Sequence, residues 1–204
     1  MDRFVIGNIF SKLDYVEQKK MNDVITLFGN LFHDIYELKV PNLANGEIPQ
    51  YFKDEDLMRY TNLTKLDCNH CQNITDKSIS GLTNLTTLNC RFRSNISDTS
   101  ISNLTNLTKL VCGECQNISD TSIRKLKNLT TLKCHCCQSI TDESVIELKN
   151  LTTLDCSWCE NISDASIIEL KNLMAIDCSY CQNISDKSIK ELKNLTMLNG
   201  FKVK

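Results

Sequence analysis

Shifted by 22 residues, the chain lands on itself. The block LTKLDCNHCQNITDKSISGLTN at 63–84 is followed by blocks that begin at Leu85, Leu107, Leu129, Leu151 and Leu173, and a shorter block runs from Leu195 to Lys204. Residues 54–62, DEDLMRYTN, match the back half of a block. We therefore divide the chain into a non-repeating segment, 1–50, and an array, 51–204, made of a partial repeat (54–62), six full repeats (63–194) and a partial repeat (195–204). A unit this short cannot bury its own apolar residues. Stacked on its neighbours, it can.

The shared pattern is L-x-x-L-x-C-x-x-C-x-x-I-[ST]-D-x-x-[IV]-x-x-L-x-N. In LTTLDC (151–156), alternation puts Leu151, Leu154 and Cys156 on one side and Thr153, Asp155 and Ser157 on the other, which predicts a short strand. Ser or Thr at the thirteenth position predicts a helix start, because its hydroxyl can accept from free N–H groups. The following Asp is expected at the positive end of the same helix dipole. Ile167 and Leu170 fall on one helical face, and Asn172 is expected as a left-handed end residue. The expected fold class is α/β: a solenoid with a parallel β-sheet on one face, short helices on the other, and an N-terminal helical cap.

This pattern resembles a leucine-rich repeat, with Leu63, Leu66 and Cys68 as the strand triplet and Cys71 at the Asn/Cys turn position. Cysteine followed by ITD or ISD is most similar to the cysteine-containing subclass found in F-box proteins, although these blocks are shorter than its repeats of about 26 residues and lack its extra cysteine. LTNLT and QNISD also resemble the repeats of internalin-like proteins. The resemblance implies a leucine-rich-repeat fold with a protein-binding concave sheet.

Five C-x-x-C pairs among twelve cysteines raise the prospect of a metal or redox centre. Their placement argues for packing. Cys68, Cys90, Cys112, Cys134, Cys156 and Cys178 take a position that usually holds leucine, and Cys71, Cys115, Cys137, Cys159 and Cys181 follow at the turn. Two rows strung along an axis do not converge on one metal ion, and buried thiols lack the exposed thiolate that redox chemistry needs. Cys136 alone falls at an outward position, beside His135. We expect no metal and no cofactor. His70 and His135 lie three repeats apart, too far for a catalytic pair, and neither a Ser–His–Asp arrangement nor a phosphate loop is visible, so no enzyme is expected.

A partner is expected on the outward positions, which vary while the scaffold does not. The fifth position reads Asp67, Asn89, Val111, Lys133, Asp155, Asp177; the seventh includes Arg91 and His135; the eighth reads His70, Phe92, Glu114, Cys136, Trp158, Tyr180. Aromatic side chains beside arginine have the composition of binding hot spots. All three rows are expected to line the sheet.

Net charge of −2 with both signs mixed argues against a nucleic-acid surface, and no apolar run approaches the roughly 18 residues of a membrane span. MDRFVIGNIFSKLDY does not read as a secretory signal. Free cysteines then suggest a reducing, cytoplasmic location. In 1–50, two amphipathic stretches precede Pro41 and Pro49 and read as a helical cap. IFSKLD (9–14) also resembles the F-box I-F-x-x-L-D, placing Ile9, Phe10, Leu13, Met21, Val24 and Phe28 at positions that dock a Skp-type adaptor. The family's Leu-Pro start is absent. The expected function is a non-enzymatic protein-interaction module; the alternative is a substrate adaptor of a cullin-type ubiquitin ligase.

Overall fold

The computed structural model describes residues 36–39, 53–69, 71–92 and 95–202. They form a nine-stranded sheet in sequence order: β1 (Glu37–Lys39), β2 (Lys65–Asp67), β3 (Thr87–Asn89), β4 (Lys109–Val111), β5 (Thr131–Lys133), β6 (Thr153–Asp155), β7 (Ala175–Asp177), β8 (Met197–Leu198) and β9 (Phe201–Lys202). β1 to β8 are parallel, and from β2 on each is displaced from the last by one repeat, so Leu66 pairs with Leu88 and Leu132 with Leu154. Between strands run one-turn helices: α1 (Asp54–Leu57), α2 (Asp76–Ile79), α3 (Asp98–Ile101), α4 (Asp120–Ile123), α5 (Asp142–Val145), α6 (Asp164–Ile167) and α7 (Asp186–Lys190). This is a leucine-rich-repeat solenoid. No helix among the described residues is long and apolar enough to cross a membrane.

The alternation read in each block is the burial seen. Leu151, Leu154 and Cys156 are buried, while Thr153, Asp155 and Ser157 are half-exposed. Ile167 and Leu170 close the same core from the helical side. Every coil adds the same layer of Leu, Ile and Cys, so the core is one continuous column whose coils protect each other from water.

Polar groups join the coils. Thr86 Oγ1 donates to the Thr64 carbonyl at 3.0 Å and Asn106 Nδ2 to the Thr83 carbonyl at 3.0 Å, and both links recur along the chain. One expectation fails. Asn172 is not left-handed; its Nδ2 donates to the Lys149 carbonyl at 2.9 Å, one coil back. The helix-start aspartates open their own helices as expected, and they also reach the next coil. The Thr75 hydroxyl accepts from Lys77 N as expected, but Asp76 reaches forward, accepting from Ser97 N at 2.8 Å and Ser97 Oγ at 2.5 Å. A buried serine row that the repeat pattern left unassigned completes the arrangement, as when Ser100 Oγ donates to Asp76.

The sheet begins earlier than the repeat suggests. β1 lies within the segment expected as a helical cap, with Leu38 opposite Leu66 and buried. The Tyr36 carbonyl accepts from Thr64 N and Lys65 N at 2.7 and 3.0 Å. At the other end Asn199 and Gly200, with φ of 49° and 81°, turn the chain back into antiparallel β9, as a two-residue hairpin turn requires. Asn199 Oδ1 accepts from Cys178 N at 3.0 Å, where Cys156 N uses the Asp177 carbonyl of the next coil. The remainder of 1–50, with Ile9, Phe10, Leu13, Met21, Val24 and Phe28, lies outside the described residues, as does His70.

Candidate functional site

Each strand holds only the third to fifth positions of its repeat. Asp67, Asn89, Lys133, Asp155 and Asp177 therefore stand on the sheet, one per strand. The seventh and eighth rows, expected on the sheet as well, instead occupy a turn just beyond the strands' C-terminal ends. They form a rim along one side of the sheet.

The eighth row has an unexpected backbone. Phe92, Glu114, Cys136, Trp158 and Tyr180 have φ of 64°, 64°, 58°, 62° and 62°, the left-handed region that bulky residues rarely enter. Hydrogen bonds to the next coil hold the first four there. Phe92 N donates to the Gly113 carbonyl at 3.1 Å, Glu114 N to His135, Cys136 N to Ser157, and Trp158 N to the Ser179 carbonyl at 3.0 Å. Within a coil, the turn closes through Cys159 N to the Cys156 carbonyl at 3.0 Å. The usual sequence signal for such a position, Gly or Asn, is missing, which is why the pattern did not reveal it.

The C-x-x-C spacing serves this turn. Its first cysteine lies in the core, and the second thiol donates one coil back, from Cys137 Sγ to the Cys112 carbonyl at 3.2 Å and from Cys159 Sγ to the Cys134 carbonyl at 3.1 Å. Burial pushes the Cys68 thiol well above its usual range and raises Cys71 to about 12. Cys178, less covered at the end of the array, is raised to about 11 for the same reason. Cys68, Cys71 and Cys178 stay protonated at neutral pH, the form least suited to attack or ligation, whereas hydrogen bonding with Cys134 lowers Cys159 and hydrogen bonding with Cys156 lowers Cys181 to about 7. No group of three or more metal-ligating side chains occurs among the described residues. Cys136 faces outward as expected, half-exposed, but on the rim.

Two constellations stand on the rim. In the first, the Arg91 guanidinium lies 4.6 Å from the Phe92 ring centroid, and Arg91 Nη2 lies 3.1 Å from His135 Nε2. Arginine can only donate, so Nε2 is the acceptor. Glu114 Oε1 is 3.8 Å from the same nitrogen, and the His135 ring meets Phe92 edge-on at 6.4 Å. His135 fits because residue 113 is glycine: a Cβ there would lie 1.9 Å from the ring. In the second, Trp158 and Tyr180 stack at 4.0 Å between centroids and 17° between planes, 52% and 69% exposed. Beside them, Asp155 Oδ1 accepts from Ser157 Oγ at 2.8 Å, and Asp177 Oδ1 from Ser179 N at 3.0 Å.

The helical side is plainer. Lys127–Glu147 and Lys149–Glu169 ion pairs cross between coils at 2.9 and 3.2 Å, and a hollow of about 340 Å³ is lined by Ile168 with charges of both signs.

No protein-family model matches the chain, and no curated protein does. Solved structures do. A chain of the yeast Rad7 and Elc1 complex is 25% identical, with a TM-score of 0.61 over 72% of this chain and 44% of that one, so this chain spans less than half of its length. Internalin C2 of Listeria monocytogenes is 22% identical, with a TM-score of 0.55 over 82% of this chain and 81% of that one. A chain of the TLR13–ssRNA13 complex is 23% identical, with a TM-score of 0.54 over 81% of this chain and 23% of that one. The last two likenesses carry the fold alone.

Proposed function

We propose that this solenoid is a non-enzymatic module that binds a protein partner on its sheet face and along the adjoining rim. One observation carries the reading: Trp158 and Tyr180 form an exposed stack at backbone positions that disfavour bulky side chains. Scaffold stability does not call for aromatics there. Large rings held rigid on a polar-flanked surface suit a binding anchor. Phe92 with Arg91 offers a second anchor, and Asp155 sets polar register. Thr152 lies on the sheet side but donates to the Thr130 carbonyl at 3.1 Å, a scaffold task. A partner captured from host lysate provides the test. Trp158→Ala with Tyr180→Ala should abolish capture and Lys149→Glu, on the helical side, should not; the reverse result sinks the reading.

A solved Rad7 and Elc1 complex containing a similar chain favours a more specific second reading. In it, the cysteine-type repeats and the F-box-like residues Ile9, Phe10, Leu13, Met21, Val24 and Phe28 make the chain a substrate adaptor. Residues 3–36 then dock a Skp-type subunit of a cullin ubiquitin ligase while the concave face of the array holds the target. Free cysteines support a reducing, cytoplasmic setting for either role. Deletion of residues 1–35 keeps the Tyr36 carbonyl that caps β2. It should remove a Skp-type adaptor from the captured material and spare the target. An adaptor retained by the folded deletion excludes this second reading.

A further inference from the structure

Along the fifth position the sheet changes sign. Lys133 pairs in register with Asp155, and Asp155 with Asp177. Two carboxylates thus stand on adjacent strands about 4.8 Å apart, an arrangement that costs free energy when nothing cationic lies between them. Neither forms an ion pair with any described residue. The hydrogen bonds recorded for each engage Oδ1, from Ser157 and Ser179, and leave Oδ2 for a ligand. The helix-start aspartates form a similar row, but their charge is met by the hydroxyls and N–H groups of the next coil. Asp155 and Asp177 receive fewer such bonds, all from their own coil and all at Oδ1.

Three residues on from each carboxylate, in the turn that follows its strand, stands the Trp158–Tyr180 stack. Each ring has one face against the other, and Tyr180 ends the row because the chain reverses at Asn199–Gly200 before another turn residue is reached. An open aromatic face beside two underused carboxylates suits a planar cation. A guanidinium can stack on the ring and donate to a carboxylate at its edge, whereas an ammonium is a hydrated point charge with no plane to stack. Lys133, exposed and without an ion pair among the described residues, stands on the strand next to Asp155, on the side away from Asp177, and disfavours a cation there, so the Asp177 side is the one left for it.

We infer that Asp155, Asp177 and the Trp158–Tyr180 stack form a subsite for an arginine side chain of the protein partner. The inference rests on the sheet-face reading above and names the chemistry of its occupant. Trp158 is the chain's only tryptophan, so its fluorescence reports on the subsite directly.

The test is titration of the full chain with a capped peptide of alternating glycine and arginine. A saturable change in Trp158 emission is expected. The matching lysine peptide should bind at least about threefold more weakly, since it lacks the stacking plane, and the glutamate peptide should give no response. Asp155→Asn with Asp177→Asn should weaken arginine-peptide binding about tenfold; asparagine Oδ1 still accepts from Ser157 and Ser179, so the fold is kept. Asp186→Asn with Glu191→Gln, on the helical side, should change nothing. Absence of a saturable arginine response overturns the proposal. So do equal affinity for lysine, an undiminished response from the Asp155/Asp177 variant, or an equal loss from the helical-side variant. Capture of a partner that survives Asp155→Asn with Asp177→Asn but not Trp158→Ala with Tyr180→Ala would remove the arginine subsite and leave the sheet-face reading standing.

Discussion

Asp98 Oδ1 accepts the backbone N–H of Ser119 at 2.9 Å, and its Oδ2 accepts the Ser119 hydroxyl at 2.5 Å. One carboxylate thereby fixes the cap residue of the following coil, while that hydroxyl accepts from Thr121 N at 3.2 Å to start α4. The same link joins Asp54 to Thr75, Asp120 to Thr141 and Asp164 to Ser185. Replacing Asp98 by Asn turns one acceptor into a donor facing a donor. We expect a loss of about 1.5–3 kcal/mol, the range for hydrogen bonds to a charged group, read as a lower urea midpoint. An unchanged midpoint would mean the coils are held by their apolar core alone.

The same carboxylates set a pH dependence. Burial pushes the Asp98 carboxyl up, but hydrogen bonds from Ser119 and Ser122 outweigh it and hold the group below its usual range. Asp164 is lowered mainly by accepting a hydrogen bond from Ser188. A folded pKa below the unfolded one means the stabilisation is present above the unfolded value, about 3.9, and is lost as pH falls through the folded value. Thermal midpoints should stay nearly level from neutral pH to about 5 and drop below about 4. A midpoint that rises on acidification would reverse the assigned direction.

The cysteine rows predict different tolerances for one substitution. Cys156→Ser places a hydroxyl in the apolar column and should cost about 1–3 kcal/mol. Cys159→Ser should cost less, because its hydroxyl can still donate to the Cys134 carbonyl. Cys136→Ser on the rim should stay within about 0.5 kcal/mol. Equal urea midpoints for the three variants would refute the assignment of core, turn and rim.

Gly113→Ala should displace His135. The new Cβ would overlap the imidazole, and the ring can leave only by giving up its contact with Arg91. Overpacking of this kind costs about 1–3 kcal/mol. In the His135→Ala background the same change should cost markedly less, a non-additivity that a double-mutant cycle measures. Additive costs would place the ring elsewhere in solution.

Trp158→Gly separates binding from stability. Glycine is at ease at φ of 62°, which offsets the lost ring stacking, so the unfolding midpoint should move little. Affinity for the captured partner should fall about 30-fold or more, as for a hot-spot residue of at least 2 kcal/mol. Retained affinity would show the stack to be ornamental to binding.

Periodicity determined most of what is local here. The 22-residue spacing, the alternation in LTTLDC and the Ser/Thr before each Asp were enough to place strands, core residues and helix starts, because each depends on a side chain and its neighbours in one coil. Contacts between coils were decided only in three dimensions. Asp98 could be read as a helix-start residue but not as the acceptor for Ser119, and Asn172 could be read as an end residue but not as a donor to Lys149. Nor could β1 be found from a repeat it does not share, since Leu38 is recognised only by lying opposite Leu66. The candidate site divides the same way. Its variable residues stood out in the sequence, but the hydrogen bond from Trp158 N to the next coil and the stacking of Trp158 on Tyr180 are contacts between coils. Residues 22 positions apart became neighbours only once the coils were stacked.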